Sequence, residues 1–492
     1  MGRNRIASIA LASLVAGNLM AGGLFTQNNQ NPIFFRQPAQ HAVIGVQGAY
    51  YDPAGLVFMN DGWHFGLGDM MAIQTREVTS DYAPFAMNVN NAGSGTRKFK
   101  GHTFAPVIPS LDVVYTHNKW AASMHFGVMT GGGNCTFDDG LGSFEAPIAL
   151  LPAAVNALTP VFSGYDADIH FTGKSFGVGG QFNFAYKIFD NGNSKLSLAG
   201  GIRVNYLRNS YVGGIFDYRL KTAQGMIPAE NALKGVMGQL GLPETMANAI
   251  ANQLGADKEV DCVQAGWAFN PIVGVHYSVG AWDFSAKYEF ITSMELKSNT
   301  DINTTGLSQF NDDAKVQADA PALVTAGFNV SILPQLRAGA GMNLYLDKSA
   351  DYGNDREDKL GRNTFEFVAG VEYDLNSKWT VSLGTQVTTF DFGDNNDYLT
   401  DMSFSLPSWC LGGGFRYHFT DRLALDVAAF NTFYSKANKH YSDYGGAGAT
   451  YQAALGAIPG VPAEVLSQLS VPGKDKFFRT SLTFGVGIVW DL

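Results

Sequence analysis

From Gly62 to the C-terminus the chain is built of segments of ten or more residues in which apolar and polar side chains alternate. A period of two commits each segment to a strand with one greasy face. In residues 195–206, Leu196, Leu198, Ile202, Val204 and Tyr206 fall on one face and Ser197, Ala199, Gly201, Arg203 and Asn205 on the other. Trp379, Val381, Leu383 and Val387 oppose Thr380, Ser382, Gln386 and Thr388 in the same way, and Phe365, Phe367, Ala369, Val371 and Tyr373 oppose Glu366 and Glu372. Soluble strands usually run about five or six residues, whereas crossing a bilayer takes about 9–11. Segment length therefore favours a sheet closed on itself in lipid over two sheets packed in water.

Apolar residues make up 46% of the chain and charged residues 15%, yet mean hydropathy is -0.03, the value of a finely mixed sequence. Beyond the first two dozen residues there is no apolar run of about eighteen, the minimum for a spanning helix, so a membrane crossing must use strands. The 35 Phe and 20 Tyr suit aromatic belts at the membrane surfaces.

Short turn signals occur at His117 and Asn118, 190–193, 278–281, 333–335, at Asn376 and Ser377, and at Thr420 and Asp421. These six links make six hairpins, and an unpaired first and last strand bring the total to about fourteen, an even number as in bacterial single-chain barrels. The strand cores are expected at 62–78, 101–117, 119–130, 167–189, 194–217, 259–279, 281–299, 315–332, 335–347, 363–375, 378–391, 405–419, 422–435 and 477–491. The other connections are long, notably 131–166, 218–258 and 436–476, the alternation that short periplasmic turns and long external loops produce. The last segment, with Phe484, Val486, Ile488, Trp490 and Leu492 on one face, reads as the strand that closes the barrel.

Three loops carry helical text. Leu233, Val236, Met237 and Leu240 keep helical spacing, as do Met246, Ile250 and Leu254 after Pro243, and similar stretches occur at 146–162 and 463–469. Apolar helices outside the membrane need something greasy to cover, so Val236, Met237, Leu240, Met246, Ile250 and Leu254 are candidates for a hydrophobic ligand cleft. Strand parity puts Arg203, Arg337 and Arg416 on the polar face, where a cation could hold a ligand carboxylate or pair with wall acids such as Glu366 and Glu372.

Arg3 and Arg5 precede the apolar stretch 6–16, and Ala21, Gly22 and Gly23 follow, the layout of an export signal expected over residues 1–22. Net charge is -10 with no basic patch, which argues against a nucleic-acid partner. Cys135, Cys262 and Cys410 match no metal or redox spacing, and their odd number leaves at least one thiol unpaired within the chain. The nine histidines are scattered, without a catalytic or metal-ligand motif, so neither an enzyme nor a bound cofactor is expected.

Residues 22–68, and most clearly Tyr51, Asp52, Pro53, Ala54, Gly55 and Leu56, resemble the start of the FadL-type outer-membrane transporters, channels for long-chain fatty acids and aromatic hydrocarbons. Where that family carries an Asn-Pro-Ala-Gly-Leu-like element, this chain has Asp at position 52. The resemblance implies a fourteen-stranded barrel at 62–492 in a Gram-negative outer membrane, with residues 23–61 as a hatch in the lumen. Pro53 fixes its own φ and Gly55 permits a bend, so 51–55 is expected to be the bend on which the hatch gates. The resemblance further implies passive transport of a hydrophobic small molecule by a monomer surrounded by outer-membrane lipid and lipopolysaccharide and inserted by the barrel-assembly machinery. A general porin or an adhesive barrel is the alternative; an energy-coupled receptor would need a far larger plug and about 22 strands.

Overall fold

The computed structural model describes residues 24–492 apart from Ala92 and Pro459; the expected export signal lies outside the described residues. The alternating segments form one antiparallel sheet that closes on itself. Its wall strands are β1 (Gly62–Tyr82), β2 (Thr96–His117), β3 (Trp120–Phe137), β4 (Gly164–Asp190), β5 (Ser194–Thr222) and β6 (Lys258–Val279). Next come β7 (Trp282–Glu289, resuming as Glu295–Asn303), β8 (Lys315–Gln317, resuming as Leu323–Leu333), β9 (Leu336–Tyr345), β10 (Thr364–Asp374) and β11 (Trp379–Thr389). The wall ends with β12 (Ser408–Thr420), β13 (Leu423–Tyr434, resuming as Ala437–Tyr441) and β14 (Gly473–Asp491). Closure is made by β14 on β1, in register from His64 opposite Asp491 to Tyr82 opposite Gly473, and gives a 14-stranded barrel without a free edge.

The barrel is inside out relative to a soluble protein. Leu198, Ile202 and Val204 on β5, and Phe484, Val486 and Ile488 on β14, are exposed on the outer surface, whereas Ser197, Arg203 and Asn205 are buried toward the lumen. At the short-turn end the exposed rings of Trp63 and Phe184 and the half-buried rings of Tyr115 and Trp120 touch in succession, centroids 4.8 to 6.0 Å apart, and Trp379 meets Tyr417 at 4.8 Å. Such a girdle sits at the membrane–water boundary, where a ring can face hydrocarbon and headgroups at once.

All six short hairpins are present, and Asn118 takes the left-handed conformation that its tight turn requires. At the opposite end the strands run past the expected cores. The longest, β4 and β5, have 27 and 29 residues, far more than a bilayer needs, and their ends support the loop head. That head contains α2 (Gly142–Asn156), α3 (Ala229–Gln239), α4 (Glu244–Gly255), α5 (Ala447–Gly456) and α6 (Ala463–Ser467). Inside α2, Pro152 cannot donate to the carbonyl of Ile148; the Tyr218 hydroxyl donates to it instead, at 2.9 Å. Asp401, whose carboxyl is raised by burial, accepts from Ser143 N at 2.7 Å and ties the first turn of α2 to the β11–β12 loop. The three cysteines are free and buried.

Candidate functional site

Residues 24–61 lie within the barrel, with α1 (Pro32–Arg36) and two single turns, Val46–Ala49 and Gly55–Phe58. Too short to hold a core of their own, they rest on aromatic packing and on polar bonds to the wall. Phe34 and Phe35 pack on Phe430 at 5.9 and 5.4 Å, and Phe34 stacks on Tyr51 at 5.8 Å. The segment passes close over β10–β12: a Cβ on Gly384 would lie 2.4 Å from Pro38 Cδ, and one on Gly412 would lie 2.3 Å from the carbonyl of Phe35. With Gly339 and Gly370 these glycines form one cross-strand row, Gly339–Gly370–Gly384–Gly412, a smooth track under residues 35–38. Sequence reasoning passed over that row; isolated glycines inside strands were its signal.

The wall binds the segment through the segment's carbonyls and through its polar side chains. Gln181 and Asn183 donate to Ala49 O at 3.0 and 2.9 Å, Lys287 to Tyr50 O at 2.8 Å, Ser197 to Ala54 O at 2.6 Å and Thr116 to Leu56 O at 3.2 Å. Arg36 forms ion pairs with Glu372 at 2.6 Å and Asp426 at 3.1 Å. His41 Nε2 lies 2.7 Å from Asn343 Oδ1 while its Nδ1 is buried without a partner among the described residues, and burial lowers the ring's pKa from 6.5 to about 4.

The expected bend is well defined. Asp52 accepts from Gly55 N through both its carbonyl (3.1 Å) and Oδ1 (3.2 Å), and its Oδ2 lies 2.5 Å from His276 Nδ1 on β6. Tyr51 donates to the carbonyl of Asn28 at 2.6 Å. Gly55 has no room for a side chain, since a Cβ there would stand 2.6 Å from Asp52 Oδ2 and 3.0 Å from His276 Nδ1. Pro53 and Ala54 complete the turn, with Ala54 fully buried.

The wall itself is interrupted between β2 and β3. They pair at Gly101 and His102 with Phe137 and Thr136, then not again until Leu111 meets Phe126. In the unpaired stretch β2 carries Pro106 and Pro109, which lack an N–H to donate, and β3 carries three consecutive glycines at 131–133. Phe104 and Val107 are exposed there at 61% and 66%. The start of the luminal segment takes up bonds that β2 leaves unmade: Gln27 N donates to Met129 O at 3.0 Å, Gln27 Nε2 to Gly131 O at 2.7 Å and Gln30 Nε2 to Val128 O at 2.9 Å.

In the head, α2, β4, β5, α4, β6 and α5 line a narrow cleft of about 50 Å³ formed by Phe144, Ile148, Phe171, Leu254, Val260 and Tyr451, with Lys258 among its few polar groups. Of the loop residues singled out from sequence, Leu254 lines this cleft. Val236, Met237 and Ile250 are buried in the surrounding core, Met246 packs against it half-buried, and Leu240 is exposed at the hairpin tip. Arg203 reaches Glu289 with two N–H groups at 2.6 and 3.0 Å, Arg337 reaches Asp374 at 2.7 and 2.8 Å, and Arg416 reaches Asp426 at 3.0 and 2.8 Å. Each guanidinium thus grips a wall carboxylate in the forked geometry such pairs favour.

A profile described as "Outer membrane protein beta-barrel domain" matches residues 252–407. No curated protein sequence matches. Among solved structures, a Pseudomonas aeruginosa FadL homologue is similar over 96% of this chain and 100% of its own, with TM-score 0.62 and 13% identity. The Pseudomonas putida toluene transporter TodX is similar over 96% and 100% of the two chains, with TM-score 0.55 and 12% identity. The Ralstonia pickettii toluene transporter TbuX is similar over 94% and 98%, with TM-score 0.53 and 14% identity. Girdle, fourteen-strand closure, luminal segment and these likenesses agree: the chain is an outer-membrane β-barrel with the FadL-type fold.

Proposed function

We propose that this protein lets hydrophobic small molecules, long-chain fatty acids or aromatic hydrocarbons, cross the outer membrane without an energy source. The observation that carries the reading is the apolar cleft in the loop head, set above a lumen occupied by residues 24–61. An apolar solute gains about 0.8 kcal/mol for each CH₂ it removes from water, so such a cleft concentrates it at the cell surface. Kinship of fold with two proteins named as toluene transporters supports the same substrate class.

In this reading the luminal segment is a hatch. Its bonds to the unpaired stretch of β3 close a gap in the wall, and a ligand that displaces them opens a sideways path toward lipid past Phe104 and Val107. Movement of so short a segment leaves the barrel ladder intact, which keeps the two arrangements close in energy. The pairing of Arg203, Arg337 and Arg416 with wall acids supports a fastening role for them rather than capture of a ligand carboxylate. Uptake of a radiolabelled fatty acid and of toluene into proteoliposomes, alongside single-channel conductance, tests the proposal. Saturable uptake of either solute with conductance at background is expected; a steady open pore without saturable uptake would make the protein a general porin.

A further inference from the structure

The bend of the luminal segment is fastened to the wall by a contact between ionisable groups. We infer that His276 is its positioning residue, a catch that holds the segment docked while the imidazole carries two protons. The inference rests on the reading of residues 24–61 as a hatch.

Both ring nitrogens face carboxylates. Nδ1 lies 2.5 Å from Asp52 Oδ2, and Nε2 lies 3.2 Å from Asp283 Oδ1 and 3.1 Å from Ser278 Oγ. The Ser278 hydroxyl donates to Asp283 at 2.6 Å and so offers Nε2 only a lone pair. A neutral imidazole has a single N–H and satisfies one side; only the doubly protonated ring donates to both. The contact is buried, with the side chains of His276 and Asp52 0% and 2% exposed and the Phe58 ring 5.5 Å from the imidazole.

The surrounding charges are few. Asp283 of β7 and Asp52 are the acids in contact, Lys187 of β4 and Lys195 of β5 stand 5.6 and 5.7 Å from the centre of the Phe58 ring, and Lys287 of β7 points at the carbonyl of Tyr50. Loss of the proton removes the positive charge between the two acids and leaves one of them facing a nitrogen lone pair. Buried carboxylates stripped of a charged partner are strongly destabilising, so the bend releases. Asp52 also holds Gly55 N, and losing its anchor loosens the turn itself.

Hydrogen–deuterium exchange of the full-length protein in nanodiscs, corrected for intrinsic rates, tests this from about pH 6 to about pH 9. Protection of residues 48–58 in the wild type is expected to fall at least about tenfold with rising pH, a fraction of what breaking a buried pair can cost. Asp52→Asn and His276→Gln should give low protection at every pH, whereas Asp52→Glu, which keeps the charge, should retain the pH step. Wild-type protection independent of pH, or a step in Asp52→Asn equal to that of the wild type, overturns the catch. Ion conductance of the same preparations separates the two ideas. Protection that falls with pH while conductance stays at background supports the catch and overturns the hatch; conductance that rises with no loss of protection at 48–58 overturns the catch.

Discussion

Gln30, on the luminal segment, donates from Nε2 to the backbone carbonyl of Val128 at 2.9 Å, within the stretch of β3 that has no partner on β2. A side chain here does the work of a neighbouring strand. Gln30 also binds the carbonyl of Gln27, and Gln27 reaches Gly131, so the pair is a patch laid across a parted seam. Each buried hydrogen bond contributes about 1 kcal/mol net. The double substitution Gln27→Ala and Gln30→Ala should therefore undock the start of the segment and raise the frequency of open-channel events in planar bilayers about tenfold or more. An event rate equal to that of the wild type would detach the patch from gating.

The head cleft makes a separate prediction. Ile148→Asp and Leu254→Asp each place a carboxylate in an apolar lining, at a cost to a greasy ligand of about 2 kcal/mol or more. Uptake at low ligand concentration should fall by about tenfold or more and recover partly at high concentration, because capture rather than passage is impaired. Heat-modifiable electrophoretic mobility checks that the barrel still folds. Full uptake at low concentration would remove the cleft from the route.

Much of this architecture was legible in the sequence because a barrel in lipid obeys two simple rules. Alternation had to persist for ten or more residues, and Leu198, Arg203, Val204 and Asn205 fall on the faces that parity assigns them. The helices α3 and α4 were legible from Leu233, Val236, Ile250 and Leu254, whereas α5, with its run of Ala and Gly, offers little contrast between its faces. Two expected strands are broken in the middle: β7 pauses at 290–294 and β8 at 318–322, where Pro321 withholds a donor. The site was harder to see. Contacts such as Asp52 with His276 or Gln30 with Val128 join residues that only barrel closure brings together. The parting of β2 and β3 did leave a trace in Pro106 and Pro109, which are poorly suited to a paired strand interior.

Arg36 is the main electrostatic tie of α1, shared between Glu372 and Asp426. Replacing it with Met keeps the bulk and removes both ion pairs, although Arg337 and Arg416 remain beside those acids. A loss of about 3 kcal/mol in docking is expected, the lower end for breaking a buried pair. Hydrogen exchange of residues 31–41 measures it; unchanged protection would show that aromatic packing on Phe430 suffices.

His41 supplies a pH dependence of its own. Burial depresses the ring from 6.5 to about 4, so the docked segment binds fewer protons than the released one between those values. The His41 contribution to docking is therefore fully present above about pH 6.5 and is lost as pH falls through about 4, by on the order of 3 kcal/mol once both states are protonated. Exchange of residues 38–44 should accelerate, beyond the intrinsic rate, as pH is lowered from about 6.5 to about 4, and His41→Gln should flatten that trend. Persistence of the full acid effect in His41→Gln would assign it to another group.

The central claim, that the luminal segment must leave β3 for a hydrophobic molecule to pass, is tested most directly by a reversible tether. Gln27 N bonds Met129 O at 3.0 Å, which brings the two backbones close enough for Gln27→Cys and Met129→Cys to be joined once Cys135, Cys262 and Cys410 are replaced by Ser. Uptake of a labelled hydrophobic solute into proteoliposomes is then measured before and after reduction. Passage abolished in the oxidised protein and restored by a reductant is the predicted result; equal uptake in both states would contradict the account.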